Sequence, residues 1–127
     1  MTSIVLDASA AVAILGGIAS GGEIVRASPV YAPDLIDVEV AHVVRSLVTR
    51  GRVSEQAAEA IIESWANNNV IRVPPVRFLT RIWSLRERLN AHDATYVALA
   101  ENYGVPLLTS DERLAGAASQ YCRVITV

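Results

Sequence analysis

Residues 1–15 read MTSIVLDASAAVAIL: an apolar triplet, Ile4-Val5-Leu6, a lone carboxylate at Asp7, then small residues and a second apolar run. The uninterrupted triplet suits a short strand buried on both faces. Residues 8–15, dense in Ala and free of breakers until Gly16-Gly17, predict a helix. Asp7 therefore falls on a junction between two segments that both read as buried. Its reason for being there depends on whether other acids occupy equally awkward places.

The alternation of strand and helix continues along the chain. Residues 18–29 hold a Gly-rich connection, matching no nucleotide-binding fingerprint, and a short helix at 23–27. Strands are expected at 30–32, 70–73, 106–109 and 123–126. A helix is predicted over 35–49, with Asp34 as N-cap, Asp37 at the third helical position and Gly51 as its end. Another, capped by Ser54, covers 55–66 and stops at Asn67-Asn68-Asn69. After Pro74-Pro75 come helices over 77–89 and 91–103, divided near Asn90 and closed by Gly104, then a short one over 111–118. Short apolar strands separated by helices specify an α/β fold, a five-stranded parallel sheet with helices on both faces. Such sheets bind ligands at the carboxyl ends of their strands.

Composition sets the outer bounds. The 127 residues, 52% hydrophobic, suit a single domain spanning 1–127 with a substantial core. No apolar run approaches the ~18 residues of a membrane span, and the N-terminus lacks a basic segment, so neither anchor nor signal peptide is expected. A single cysteine, Cys122, cannot close an internal disulfide, which points to the cytoplasm. The net charge of −2 argues against nucleic-acid binding through bulk positive charge. All 11 basic side chains are Arg and none is Lys. Chemistry that needs a Lys is thereby excluded, while the planar guanidinium fork remains available for phosphate.

Four acids stand out against this pattern. Asp7 ends the first strand and Asp111 lies just beyond the fourth, both on the carboxyl edge of the sheet. Each alone could be a helix cap. Glu39 has Leu35, Ile36, His42 and Val43 as its helical neighbours, which places it beside the buried stripe unless it pairs with His42. Asp93, with Leu89, Asn90, Tyr96 and Val97 around it, is similar, its alternative being a capping box with Asn90. Crowded carboxylates raise one another's pKa unless a cation neutralises them. An all-oxygen set without His or Cys suits Mg²⁺ or Mn²⁺ and not Zn²⁺. Such a centre can orient a phosphodiester and activate water for in-line displacement. Ser9, Thr109 and Ser110 stand beside Asp7 and Asp111 as accessory hydroxyls or as plain caps.

The blocks IVLDASA, YAPDLIDVEVAHVVRSL and HDATYVALAENYGVPLLTSDERLA carry these acids in an order and spacing that resemble the PIN-domain ribonucleases, specifically the VapC-type toxins of bacterial VapBC toxin–antitoxin pairs. The resemblance runs from end to end. It implies a PIN-like three-layer α/β/α fold and an endoribonuclease that cleaves single-stranded or loop regions of structured RNA. Asp7, Glu39, Asp93 and Asp111 would then be the catalytic Mg²⁺ or Mn²⁺ ligands, with Thr109 and Ser9 as accessory hydroxyls. A homodimer and a VapB-type antitoxin partner are implied as well. His92, where a Tyr or another residue is common in the family, is expected to be a surface position.

For RNA contact the sequence offers Arg77, Arg81 and Arg88, which share one face of the helix expected over 77–89, opposite Phe78, Leu79, Ile82 and Leu85. Trp65 and Trp83, each among apolar neighbours, are expected in the core or at a subunit interface. Three rival readings follow from the same residues. A phosphoryl-transfer receiver domain shares the architecture but uses a Lys that this chain lacks. A branched-DNA 5′-nuclease needs gripping elements for which there is no room. A non-catalytic PIN fold that only binds RNA or protein would have to tolerate four acids without a cation.

Overall fold

The computed structural model describes residues 3–127; Met1 and Thr2, with which the expected domain begins, lie outside them. Strands β1 (Ile4–Leu6), β2 (Val30–Pro33), β3 (Ile71–Val73), β4 (Leu107–Thr109) and β5 (Val124–Thr126) form one parallel sheet in the order β3-β2-β1-β4-β5. The helices are α1 (Ala8–Leu15), α2 (Gly22–Ala27), α3 (Ile36–Thr49), α4 (Glu55–Ala66), α5 (Leu79–Ser84), α6 (Ala91–Tyr103) and α7 (Glu112–Ala118). Helices α1, α3 and α4 pack on one another, while α6 lies against β1, β2 and β4 together with α5, and α7 lies against β4 and β5. The sheet is thus covered on both sides, the expected three-layer α/β/α arrangement. No helix among the described residues is long and apolar enough to cross a membrane.

The apolar triplet is the sheet's centre. Val5 sits between Tyr31 of β2 and Leu107 of β4, and every residue of β1 and β4 is buried. Chain connections leave β1 toward β2 on one side, whereas β4 joins its other side. The β1–β4 junction is therefore the topological switch point, where a crevice opens at the carboxyl ends of the strands.

Helix α6 is the second positioning element. Asn90 caps it, its Oδ1 accepting from the Asp93 backbone N–H at 2.8 Å, and Gly104 ends it at φ 64°, a left-handed conformation that glycine adopts without a Cβ penalty. Residues Ala94 through Ala100 are all buried, so the helix passes through the core.

Two expectations are corrected. Asp34 does not cap α3: the helix starts after Leu35 without a side-chain cap, and Asp34 is exposed in the turn before it. Asp37 instead accepts from Trp65 Nε1 at 2.8 Å and from the Arg72 fork at 2.7 and 2.8 Å, tying α3 to α4 and β3. The helix expected over 77–89 is broken into a 3₁₀ turn, Pro75–Phe78, then α5, then turns over 85–88. Pro75 begins the tight turn, and Ser84 Oγ donates to the Arg81 carbonyl at 2.6 Å while Leu85 N–H donates to the Ile82 carbonyl at 3.1 Å, so the α-helical pattern tightens and ends. Phe78, Ile82, Leu85 and Leu89 are buried nonetheless, at the spacing that imitates a continuous helix.

The break also dissolves the expected row of arginines. Arg81 is held by Glu101 through two nitrogens at 2.9 and 2.8 Å, Arg88 donates to Gln120 at 3.0 Å, and Arg77 lies over the Phe78 ring. Of the two places expected for the tryptophans, Trp65 takes the core; Trp83 lies outside it, exposed, with the Arg86 guanidinium over its ring.

Because Asn90 supplies the only side-chain cap of α6, Asn90→Ala is expected to cost about 1 kcal/mol of stability. Urea unfolding monitored by far-UV circular dichroism measures it. A loss within a few tenths of a kcal/mol contradicts the capping role.

Candidate active site

Asp7 is the residue at which β1 becomes α1, and it is both buried and cap. Its Oδ1 accepts from Ala10 N–H and from Ser9 Oγ, each at 2.8 Å, and its Oδ2 accepts from Thr109 Oγ1 at 2.5 Å. Thr109, fully buried at the end of β4, accepts in turn from the Asp111 N–H at 3.0 Å. Ser9 Oγ accepts from the Ser110 N–H at 3.1 Å and lies 3.2 Å from Thr109 Oγ1. One hydroxyl network thus spans the switch point. Asp111 caps α7, its Oδ1 taking the N–H groups of Arg113 and Leu114.

The two helical acids reach the same crevice from α3 and α6. Glu39 does not pair with His42; its Oε1 accepts from the Tyr96 hydroxyl at 2.5 Å. Nor does Asp93 turn back to Asn90, for its Oδ2 accepts from Arg113 Nη2 at 2.8 Å. The same nitrogen lies 3.4 Å from Asp111 Oδ2. All four acids line one cavity of about 150 Å³, together with Ser9, His42 and Tyr96. Larger grooves of about 630 and 510 Å³ run along α1 and α4 and contain none of these acids, so convergence of charge and not size distinguishes the site.

The family model described as the PIN domain matches residues 4–119. The chain is 36% identical over 124 residues to "VapC ribonuclease Mb0985" of Mycobacterium bovis, covering 98% of each. To "Ribonuclease VapC12" of Mycobacterium tuberculosis it is 39% identical over 115 residues, 88% of this chain and 89% of that one. The chain belongs to the PIN-domain family, among its VapC-type toxins. Its fold also matches the crystal structure of PAE2754 from Pyrobaculum aerophilum, with a TM-score of 0.71, 22% identity, and coverage of 97% of this chain and 83% of the other.

In this PIN domain the polar side chains that line the cavity, all but His42, offer oxygen, the donor chemistry of a hard divalent cation. No three of the acids already form a metal-binding group among the described residues. A guanidinium, that of Arg113, holds two of them instead. The remaining expected residues lie apart: Arg77, Arg81 and Arg88 do not line the cavity, and His92 is exposed outside it. Tyr96 and Arg113 were not singled out from the sequence. The signal for Tyr96 was a phenol on the buried face of α6, which needs a partner; for Arg113 it was a cation two residues beyond Asp111.

Burial pushes the Asp7 carboxyl up to about 6, against the pull of its hydrogen bonds from Thr109, Ala10 and Ser9, with the Asp111 charge adding to the rise. Burial, and then the bond to Glu39, also raises the Tyr96 hydroxyl, which stays a donor. Folded Asp7 keeps a proton between its ordinary value of 3.8 and about 6 that the unfolded chain releases. Stability of the metal-free protein therefore falls as pH rises through that window, by at most about 3 kcal/mol at ~1.4 kcal/mol per pKa unit. Urea titrations in EDTA between pH 4.5 and 7.5 test this, with Asp7→Asn expected to flatten the slope. An equal slope in the variant rules out Asp7 as its origin.

Proposed function

We propose that this chain is a Mg²⁺- or Mn²⁺-dependent endoribonuclease, the toxin of a toxin–antitoxin pair, which hydrolyses phosphodiester bonds in single-stranded or loop regions of cellular RNA. The observation that carries the reading is the meeting of Asp7, Glu39, Asp93 and Asp111 on one cavity at the β1–β4 switch point. They come from four separate segments, and among the described residues only Asp93 and Asp111 share a protein cation, Arg113. The names of the VapC ribonucleases it resembles supply the substrate class.

In this reading the four acids are the catalytic metal ligands. A bound divalent ion supplies Lewis-acid stabilisation of charge developing on the phosphoryl oxygens and eases ionisation of water. Thr109 and Ser9 fix the Asp7 carboxylate in one orientation, and Tyr96 does the same for Glu39. A VapB-type antitoxin is the protein partner, and the cytoplasm is the compartment. Residues 1–127 form one domain. A homodimer is supported by the exposed apolar stripe of Val76, Leu79 and Trp83, 71%, 59% and 66% accessible, which a second copy can cover.

Purified, antitoxin-free protein is expected to cut total cellular RNA into discrete fragments with Mg²⁺ or Mn²⁺ and not with EDTA. Asp93→Asn should lower the rate at least ~100-fold, and Tyr96→Phe, which removes only the hydroxyl on Glu39, by ~10-fold or less. Equal cleavage by Asp93→Asn contradicts the assigned site, and none by the folded parent protein leaves the PIN fold as a binding module.

A further inference from the structure

The three arginines that hold carboxylates do so in two ways. Arg72 and Arg81 each close a two-nitrogen fork, Nε and Nη2, on a single carboxylate, Asp37 and Glu101. Those forks are filled and structural. Arg113 is bound through Nη2 alone, shared between Asp93 at 2.8 Å and Asp111 at 3.4 Å. Its Nε and Nη1 meet no protein acceptor among the described residues, and its side chain is 65% exposed where that of Asp93 is 14%. The guanidinium thus bridges two of the acids that line the cavity, with most of its donors free.

We infer that Arg113 exchanges partners during the reaction cycle: it occupies Asp93 and Asp111 while the cation is absent, yields them to the cation, and then turns its free fork to a phosphate of the RNA. The inference rests on the reading of the cavity as a metal centre. An exposed pair held by one nitrogen is weak and easily displaced. A divalent ion brings twice the charge to the same two oxygens and repels the guanidinium. The displaced side chain remains tethered to the second residue of α7, beside the cavity mouth, in a protein whose net charge is −2. There it provides the positive charge that an RNA backbone needs in order to approach four carboxylates, and its planar fork matches phosphate oxygens. Arg113 is in this account a positioning residue for substrate and a competitor of the metal.

The test uses the full chain free of antitoxin, with Arg113→Gln and Arg113→Lys, both at an exposed position and checked for folding by circular dichroism. Mn²⁺ alone is titrated by calorimetry. Fluorescein-labelled single-stranded RNA with cleavage-resistant phosphorothioate linkages is titrated by anisotropy in EDTA and in Mn²⁺, its integrity confirmed on a gel. The exchange predicts that Arg113→Gln binds Mn²⁺ about 3- to 10-fold more tightly and, with Mn²⁺ present, binds RNA about 3- to 10-fold more weakly, with a salt slope smaller by about one. Arg113→Lys, which keeps the charge and loses the fork, should recover part of the RNA loss. Unchanged or weaker Mn²⁺ binding by Arg113→Gln overturns the inference, as does unchanged RNA binding. Absence of Mn²⁺ binding by both the parent and the variant overturns the metal reading itself, a result distinct from equal binding by the two.

Discussion

The Asp7 carboxylate is taken out of water at the end of the central strand, and its two oxygens must find donors there. It obtains them from Ser9 and Ala10 in the turn that begins α1 and from Thr109 across the β1–β4 junction. That requirement fixes more than one side chain. Thr109 can reach Asp7 only if β4 lies beside β1 in the register that pairs Leu6 with Leu108. The same hydroxyl then takes the Asp111 N–H and sets the start of α7. The depth of burial raises the Asp7 pKa even with three donors on the carboxylate. Under the proposed function, a divalent cation at the crevice would favour the charged carboxylate further.

The other acids are brought to this point by elements with separate reasons to exist. Helix α6 is held by burial along most of its length, and it delivers Asp93 at its first turn and Tyr96 one turn later. Helix α3 is tied down by the Asp37–Trp65–Arg72 group, and it delivers Glu39 to the Tyr96 hydroxyl. Charge on this acidic chain is allotted with the same economy. Arg72 and Arg81 spend their forks on structure, and Arg113 keeps most of its own for solvent at the cavity mouth.

Much of this was legible in the sequence because it depends on local pattern. Ile4-Val5-Leu6 and Leu107-Leu108-Thr109 are short, apolar and bounded, so the central strands and the acids at their ends could be placed at once. Glu39 and Asp93 stood out because their helical neighbours are apolar. The region over 77–89 was misread because Phe78, Ile82, Leu85 and Leu89 keep a helical spacing through a 3₁₀ turn and a string of turns, and periodicity does not reveal a Ser84 hydroxyl donating to a backbone carbonyl. The partners of Glu39, Asp93 and Asp37 were hidden for another reason. Tyr96, Arg113 and Arg72 lie 57, 20 and 35 residues away, distances that only the topology closes.

The central claim is that four carboxylates meet at the β1–β4 crevice to hold a divalent cation. Anomalous diffraction from crystals soaked in Mn²⁺ tests it most directly. The account predicts a peak in the cavity at oxygen-coordination distance from Asp7, Asp93 and Asp111, with the Arg113 side chain withdrawn from both of its partners. No peak there at millimolar Mn²⁺, in crystals whose cavity is open to solvent, would contradict it.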